Sequence, residues 1–216
     1  MYLSCLEEVI EKAKGPFLRD PHERTVSCEE DSLAFFPTLP TIYKRGHYKK
    51  DKEKSSHICS KKGTKHPSLL PGVFTVFCQH GICYGFEIME YAESPNRPFT
   101  FLLTHFHNAP EVIIYDNACN LHNYCLNRDP YYFRDTIFVV DGLHWDNHTE
   151  CSIGYKALGY ALLRKINTQM VEQNNAKLKK LKSSLSYMKP ENFVDTLAFF
   201  LWHCNEECKE KSMQKK

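Results

Sequence analysis

The chain has 216 residues, of which 42% are apolar and 25% are charged, a composition typical of a globular protein. Lys and Arg total 28 against 26 Asp and Glu, so the formal net charge is +2. This balance excludes a strongly basic surface over the whole chain but not a local basic patch. No apolar run approaches the roughly 18 residues of a membrane span, and residues 1–15 lack the order of a signal peptide. We expect an intracellular, soluble protein with no membrane partner.

Cysteine and histidine are the unusual components, with ten Cys and eleven His residues. Many of them alternate at short spacings, and without a secretory signal we expect a reducing compartment. Under those conditions the combination favours metal binding over disulfide bonds. The alternative is a set of buried free thiols and surface imidazoles.

The predicted elements begin with a helix over residues 1–14, where apolar residues recur at helical spacing. Residues 15–72 are rich in Pro and contain the densest basic stretch of the chain, from Lys44 to Lys65. Such a stretch is either a solvated loop or an arm that contacts phosphate. The candidate nucleic-acid-binding residues are Lys44, Arg45, Lys49, Lys50, Lys61, Lys62 and Lys65.

From Gly72 onward the sequence predicts alternating strands and helices, because β-branched and aromatic runs are separated by helical patterns. In chain order we expect strands over 73–77 and 84–89, a helix over 98–106, a strand over 112–115, a helix over 117–127, a strand over 137–140, and helical stretches over 155–186 and 190–206. This order predicts a mixed α/β sheet covered by helices.

Two carboxylates are candidates for catalysis. Asp116 directly follows the buried strand that ends at Tyr115, and sites in open α/β sheets form outside the carboxyl ends of strands. An Asp there suits Mg²⁺, although it could also cap the following helix. Glu172 lies in a stretch crowded with amide side chains, residues 167–175. That stretch indicates either a helix that faces a polar cleft or an exposed helix with an ordinary Glu.

Two Cys/His sets follow the two buried strands. Cys119 and His122 come after the first of them, and His144, His148 and Cys151 come after the second. If the strands are neighbours, the sets meet and can close a tetrahedral zinc site. We prefer Cys119, His122, His148 and Cys151 as ligands, with His144 as a substitute. The alternative is a thiol and imidazole network in the core.

A further Cys/His set surrounds the turn between the first two predicted strands. Short-spaced ligands in such a turn commonly bind zinc, although a tight turn with incidental Cys residues is the alternative. The candidate ligands of this second zinc are Cys59, His66, Cys78, His80 and Cys83. Cys204 and Cys208, beside His203, form a weaker set near the carboxyl terminus.

Several of these segments resemble the Kyakuja–Dileera–Zisupton (KDZ) transposases, including the KDZ region of animal proteins that carry an HMG box. The matching segments are residues 71–86, 115–122, 124–128, 143–152 and 166–176. Tyr-Asp-Asn-Ala-Cys-x2-His, residues 115–122, is the most specific of them. We therefore divide the chain into an amino-terminal helix and basic segment (1–58), a partial KDZ domain (59–206) and a charged tail (207–216).

The resemblance implies an RNase H-like fold with a DDE active site. Asp116 would be the second acidic residue and Glu172 the third, together holding two Mg²⁺ or Mn²⁺ ions for strand cleavage and transfer. The Cys-x2-His after Asp116 implies structural zinc beside the site. The resemblance implies DNA as a partner, together with an oligomer or a longer transposase. It also implies a nuclear location.

The departures from the family concern the first acidic residue. In the family this Asp lies on the first strand, before a Gly, whereas Asp20, Asp31 and Asp51 neither precede Gly nor follow a buried strand. The resemblance thus implies an RNase H-like mixed sheet flanked by helices, lacking its first strand and carrying zinc-binding insertions. Residues 141–145 read Asp-Gly-Leu-His-Trp, where relatives have Asp-Arg-Phe-His-Trp.

Three functions stay open at this point. The first is a transposase-derived protein with an incomplete catalytic centre and residual DNA contact. The second is a zinc-stabilised interaction module without nucleic-acid chemistry. The third is an active metal-dependent transposase or nuclease, completed by another carboxylate or another chain. We expect Asp116 and Glu172 to lie close together, and we expect no Mg²⁺-dependent strand cleavage by this chain alone.

Overall fold

The computed structural model describes residues 41–49, 72–89, 93–149 and 151–214. These residues form two compact units, one made of 41–49, 93–149 and 151–159 and the other of 72–89 and 160–214. In chain order the helices and strands are β1 (Gly72–Phe77), β2 (Cys83–Met89), α1 (Asn96–His105), β3 (Val112–Ile114), α2 (Ala118–Leu126), β4 (Ile137–Val139), α3 (Met170–Lys179), α4 (Lys182–Leu185) and α5 (Pro190–Met213). The fold is mixed α/β with small sheets, which confirms the coarse prediction.

The first unit is built around the parallel pair of β3 and β4. Val112 lies opposite Ile137, and Ile114 lies opposite Val139. α2 comes between the two strands in the chain and packs against β4 and α1. Because the strands are parallel and in register, the residues that follow them, Asp116 among them, come to the same edge of the sheet.

The core of the first unit explains why residues 118–126 form a helix. Ala118, Leu121 and Cys125 are fully buried, and their spacing of three and four residues places them on one helix face. Asn120 and Asn123 occupy the exposed side. The buried face packs into a cluster that also contains the aromatic side chains Phe99, Tyr132, Phe133 and Phe138.

The second unit joins the β1–β2 hairpin to the carboxyl-terminal helix. β1 and β2 are antiparallel, with an irregular register next to Phe77. Gly81, in the connecting turn, has φ +86°, a conformation that glycine adopts without steric cost. Leu197 and Leu201 of α5 pack against the hairpin through buried Cys83. The Asn205 side chain accepts a hydrogen bond from the Cys83 N–H at 2.7 Å and donates one to the Cys83 carbonyl at 3.0 Å.

The predicted helices over 98–106, 117–127 and 190–206 are confirmed as α1, α2 and α5, and α5 continues to Met213. The long helical stretch over 155–186 is wrong in its first half. Residues 153–163 instead form short 3-10 turns, because Gly154 and Gly159 interrupt the pattern and Lys156 forms an isolated parallel bridge with Val140. The predicted helix over 1–14 lies outside the described residues.

The strands form two separate two-stranded sheets in the part of the chain that the structure describes, rather than the one mixed sheet that the element order predicts. β1 and β2 belong to the second unit, and β3 and β4 belong to the first. The RNase H-like arrangement and the domain division therefore stay predictions. Among the described helices, none has the length and apolar character needed to cross a membrane.

Candidate metal centre

Three of the predicted zinc ligands meet in the first unit. The ligand atoms of Cys119, His148 and Cys151 all lie within 4.8 Å of one another. His148 Nδ1 is 3.7 Å from Cys119 Sγ and 3.3 Å from Cys151 Sγ. In a tetrahedral zinc site, neighbouring S and N ligand atoms lie about 3.5–3.8 Å apart, so these positions are close to those of bound ligands.

The His148 ring is oriented as a metal ligand. Its Nε2 lies 2.7 Å from the backbone carbonyl oxygen of Asp116, and because a carbonyl only accepts hydrogen bonds, Nε2 carries the proton and donates it. Nδ1 then presents its lone pair to the two thiols. A metal-ligating His typically donates its other N–H to a carbonyl or carboxylate in this way. Trp145 stacks parallel to the ring, with an interplanar angle of 8°.

The surroundings of Cys119 disfavour its thiolate form. Burial and the neighbouring Cys151 thiol raise the pKa of Cys119 to about 11, so this thiol is protonated at neutral pH. A bound zinc ion would reverse this effect by stabilising the thiolate. Two sulfurs and an imidazole nitrogen are a donor set that fits zinc, and this group can hold a metal ion through three protein ligands.

The other two predicted ligands of this site have different partners. His122 stacks on Phe138 with ring centroids 4.6 Å apart, and its Nδ1 lies 2.9 Å from the Tyr155 hydroxyl. Burial lowers the pKa of His122, so this ring favours the neutral form. His144 Nδ1 lies 2.6 Å from Asp141 Oδ2. Neither ring belongs to the compact group of Cys119, His148 and Cys151.

Asp116 and Asp141 each lie two residues beyond the last paired residues of β3 and β4. Asp116 has a buried Oδ1 atom, and its backbone carbonyl is the acceptor for His148. Asp141 is buried, and its Oδ1 accepts the backbone N–H groups of Leu143 and His144 at 2.7 and 3.2 Å. Its Oδ2 accepts from the His144 ring. Asp141 thus stabilises the turn after β4.

Glu172 lies in the first turn of α3 and is half-buried. It belongs to the second unit and Asp116 to the first, so their proximity stays a prediction. Several of the neighbouring amides have local structural partners. Asn174 donates to the Met170 carbonyl at 3.0 Å, and Asn175 accepts from the Thr75 hydroxyl at 3.4 Å, which ties α3 to β1.

The hairpin set of cysteines is divided between a surface pair and a buried thiol. Cys78 Sγ and His80 Nδ1 lie 3.9 Å apart. Cys83 donates its thiol proton to the Gly85 carbonyl at 3.4 Å, and burial raises its pKa to about 12. Cys83 is therefore packed as a core residue. Cys59 and His66 lie outside the described residues.

The basic stretch is described only in part. Arg45 donates to the side chains of Thr100 and Asn96, both at 2.9 Å, so its guanidinium holds residues 41–49 against α1. Lys44 and Lys49 are exposed. Lys50, Lys61, Lys62 and Lys65 lie outside the described residues, and nucleic-acid contact by this stretch stays a prediction.

Sequence reasoning missed two structural partners of the predicted ligands. Tyr155 contacts His122, and its position in an apparently helical pattern carried no signal of this role. Cys208 donates its thiol proton to the His80 carbonyl at 2.9 Å, across 128 residues of sequence. The Cys-x3-Cys spacing of residues 204–208 was the only signal that could have indicated it.

These features define an α/β protein with a candidate Cys2His metal centre. The His148 ring of this centre contacts the backbone of Asp116, which follows a parallel strand. The family model of the Kyakuja-Dileera-Zisupton transposases matches residues 52–205. The chain therefore belongs to the KDZ transposase family. No curated protein and no solved structure matches the chain significantly.

Proposed function

We propose that this chain is a transposase-derived protein with an RNase H-like, DDE-type core that is catalytically incomplete and keeps residual DNA contact. The observation that carries the proposal is the family match over residues 52–205. Asp116 at the end of a parallel strand supports it, because ligand sites in α/β sheets form at this edge. In the proposal Glu172 supplies the other carboxylate, which is the third acidic residue of the DDE pattern.

The environment of Asp141 supports the incomplete state of the centre. Two-metal phosphodiester chemistry needs several carboxylate oxygens that are available to the ions. Asp141 ends the strand beside that of Asp116, but both of its oxygens accept hydrogen bonds from the turn at Leu143 and His144. Recruiting it to Mg²⁺ would break that turn. Asp116 is thus the carboxylate that we assign to this edge.

We assign zinc a structural role beside Asp116. Cys119 in α2 and His148 with Cys151 beyond β4 would be joined through one ion, which links the segments that follow the two parallel strands. The His148 hydrogen bond to the Asp116 carbonyl extends this link to the candidate catalytic residue. When bound, zinc supplies charge that stabilises two thiolates. His148 holds the turn between β3 and α2 through its hydrogen bond to the Asp116 carbonyl.

The same group favours a second candidate function, a zinc-stabilised interaction module without nucleic-acid chemistry. A structural Cys/His site contributes folding energy independently of any catalysis. The two candidates differ in DNA contact, which the module would lack. A nuclear location and association with an oligomer or a longer transposase belong to the first candidate only.

The test compares DNA binding and cleavage by the purified chain. We expect binding to labelled single- and double-stranded DNA that weakens with salt, and no cleavage or strand transfer with Mg²⁺ or Mn²⁺. An Asp116→Ala protein is the matched control. Cleavage that disappears in this control would refute the incomplete centre. Absence of any DNA binding at low salt would instead favour the interaction module.

A further inference from the structure

Several cysteine side chains lie where the carboxyl-terminal helix contacts the turn between β1 and β2. Cys78 and His80 lie in or beside the turn, and their ligand atoms are 3.9 Å apart. Cys208 of α5 reaches the same turn, where its thiol donates to the His80 carbonyl at 2.9 Å. A Cβ added to Gly81 would lie 3.6 Å from Cys208 Sγ, so the helix approaches the turn closely.

Cys204 extends the set on the same helix. It lies four residues before Cys208, so the two thiols share a helix face, and Asn205 between them fixes the helix to Cys83 through two backbone hydrogen bonds. Cys204 is near enough to Cys83 for its charge to raise the pKa of that thiol. All of these cysteines are free thiols.

From this arrangement we infer that Cys78, His80, Cys204 and Cys208 form a second zinc site that joins the hairpin to α5. Three thiolates and one imidazole are a common structural zinc set. The site differs from the sequence prediction because Cys83, held by the Gly85 carbonyl, is replaced by two cysteines of the carboxyl-terminal helix. It goes beyond the proposed function and does not depend on it.

Closure of this site would bring the ligand atoms of the hairpin and of α5 closer together. The Cys119 group is the only one among the described residues whose three ligand atoms all lie within 4.8 Å, so the hairpin set is more open. His80 is exposed, and Cys78, Cys204 and Cys208 are half-buried, which leaves their side chains room to rotate. The backbones are already held together by the Asn205 hydrogen bonds.

The experiment measures thiol alkylation by N-ethylmaleimide in the full chain, under reducing conditions, with Zn²⁺ or with a chelator. Peptide mass spectrometry reports each cysteine separately. We expect Zn²⁺ to protect Cys78, Cys204 and Cys208 together and the chelator to expose them. Cys83 is expected to stay unreactive in both conditions because it is buried. Equal alkylation of the three thiols with and without Zn²⁺ would overturn the inference.

Variants of exposed residues keep the test independent of folding. His80→Ala is expected to abolish zinc protection of the three thiols, and His80→Cys, which restores a ligand, is expected to keep it. His203→Ala is the matched control, because His203 neighbours Cys204 but pairs with Glu207 at 3.4 Å, and it should leave protection unchanged. Protection that persists in His80→Ala would contradict the site. Cys119 and Cys151 report the other centre on their own peptides, so a failure here leaves the proposed function untouched.

Discussion

Replacing His148 by Ala should remove the zinc-dependent part of the stability of the first unit. The substitution deletes the ring whose Nδ1 faces both thiols and whose Nε2 donates to the Asp116 carbonyl. Loss of that hydrogen bond costs about 1 kcal/mol with or without metal. Loss of zinc binding costs about 4 kcal/mol more when free zinc exceeds its Kd a thousandfold.

The assay is thermal unfolding of the full chain with excess zinc and with a chelator. For a chain of this size, 1 kcal/mol corresponds to about 2–4 °C in Tm, so zinc should raise the Tm of the native chain by roughly 8–16 °C. His148→Ala should lose the part of the zinc response that belongs to this centre and show a small further loss of Tm in the chelator. Cys151→Ser should lose the same part of the zinc response without the further loss in the chelator.

Asp146→Asn is the control, because Asp146 is exposed and adjacent to the ligands in sequence without being one of them. It should respond to zinc as the native chain does. An unchanged Tm of the native chain on addition of zinc would refute this prediction. An equal zinc-induced rise in Tm for His148→Ala and Asp146→Asn would also refute it.

Three further predictions concern protonation and packing. Because zinc must displace a proton from Cys119, whose pKa is raised to about 11, log Kd for zinc should fall by at least about one per pH unit near neutrality. A pH-independent Kd from competition with a chelator would contradict this. Burial lowers the pKa of His122, so the folded chain binds fewer protons there and loses stability as pH falls below about 6.5. His122→Phe should flatten the Tm profile measured in chelator between about pH 7 and 5, and identical profiles would argue against it. Leu201→Ala should cost about 2–5 kcal/mol in urea unfolding, since Leu201 is 2% exposed, whereas Phe199→Ala on the exposed side of the helix should change stability by about 0.5 kcal/mol or less.

The two parallel strands of the first unit could be predicted because they are short, wholly apolar runs, although the residues of β3 are only half-buried. The meeting of Cys119, His148 and Cys151 could also be predicted, since parallel strand ends place the residues that follow them at one edge. Spacing alone could not decide between His122 and other ligands. That choice depends on Phe138 and Tyr155, which give the His122 ring another place to pack.

The failures of sequence reasoning come from contacts between distant segments. Residues 155–163 carry a helical pattern, but their local preference yields to the bridge between Lys156 and Val140 and to two glycines. In the amide-rich helix α3, Asn175 accepts a hydrogen bond from Thr75 of β1 and Asn174 donates one to its own helix, and neither contact was predicted from the sequence. Cys208 and His80 meet although 128 residues separate them, a contact that no local periodicity encodes.

The central claim, an incomplete DDE core, is tested most directly by a crystal structure of the full chain. The crystals would be grown with Mn²⁺, and anomalous scattering would locate the bound ions. We predict that Asp116 and Glu172 face one another across a Mn²⁺ site with no third carboxylate, while Asp141 keeps its hydrogen bonds to Leu143 and His144. Carboxylates of Asp116 and Glu172 on opposite sides of the sheet would contradict the DDE assignment. Two Mn²⁺ ions about 4 Å apart, bridged by a further carboxylate, would contradict the incomplete centre.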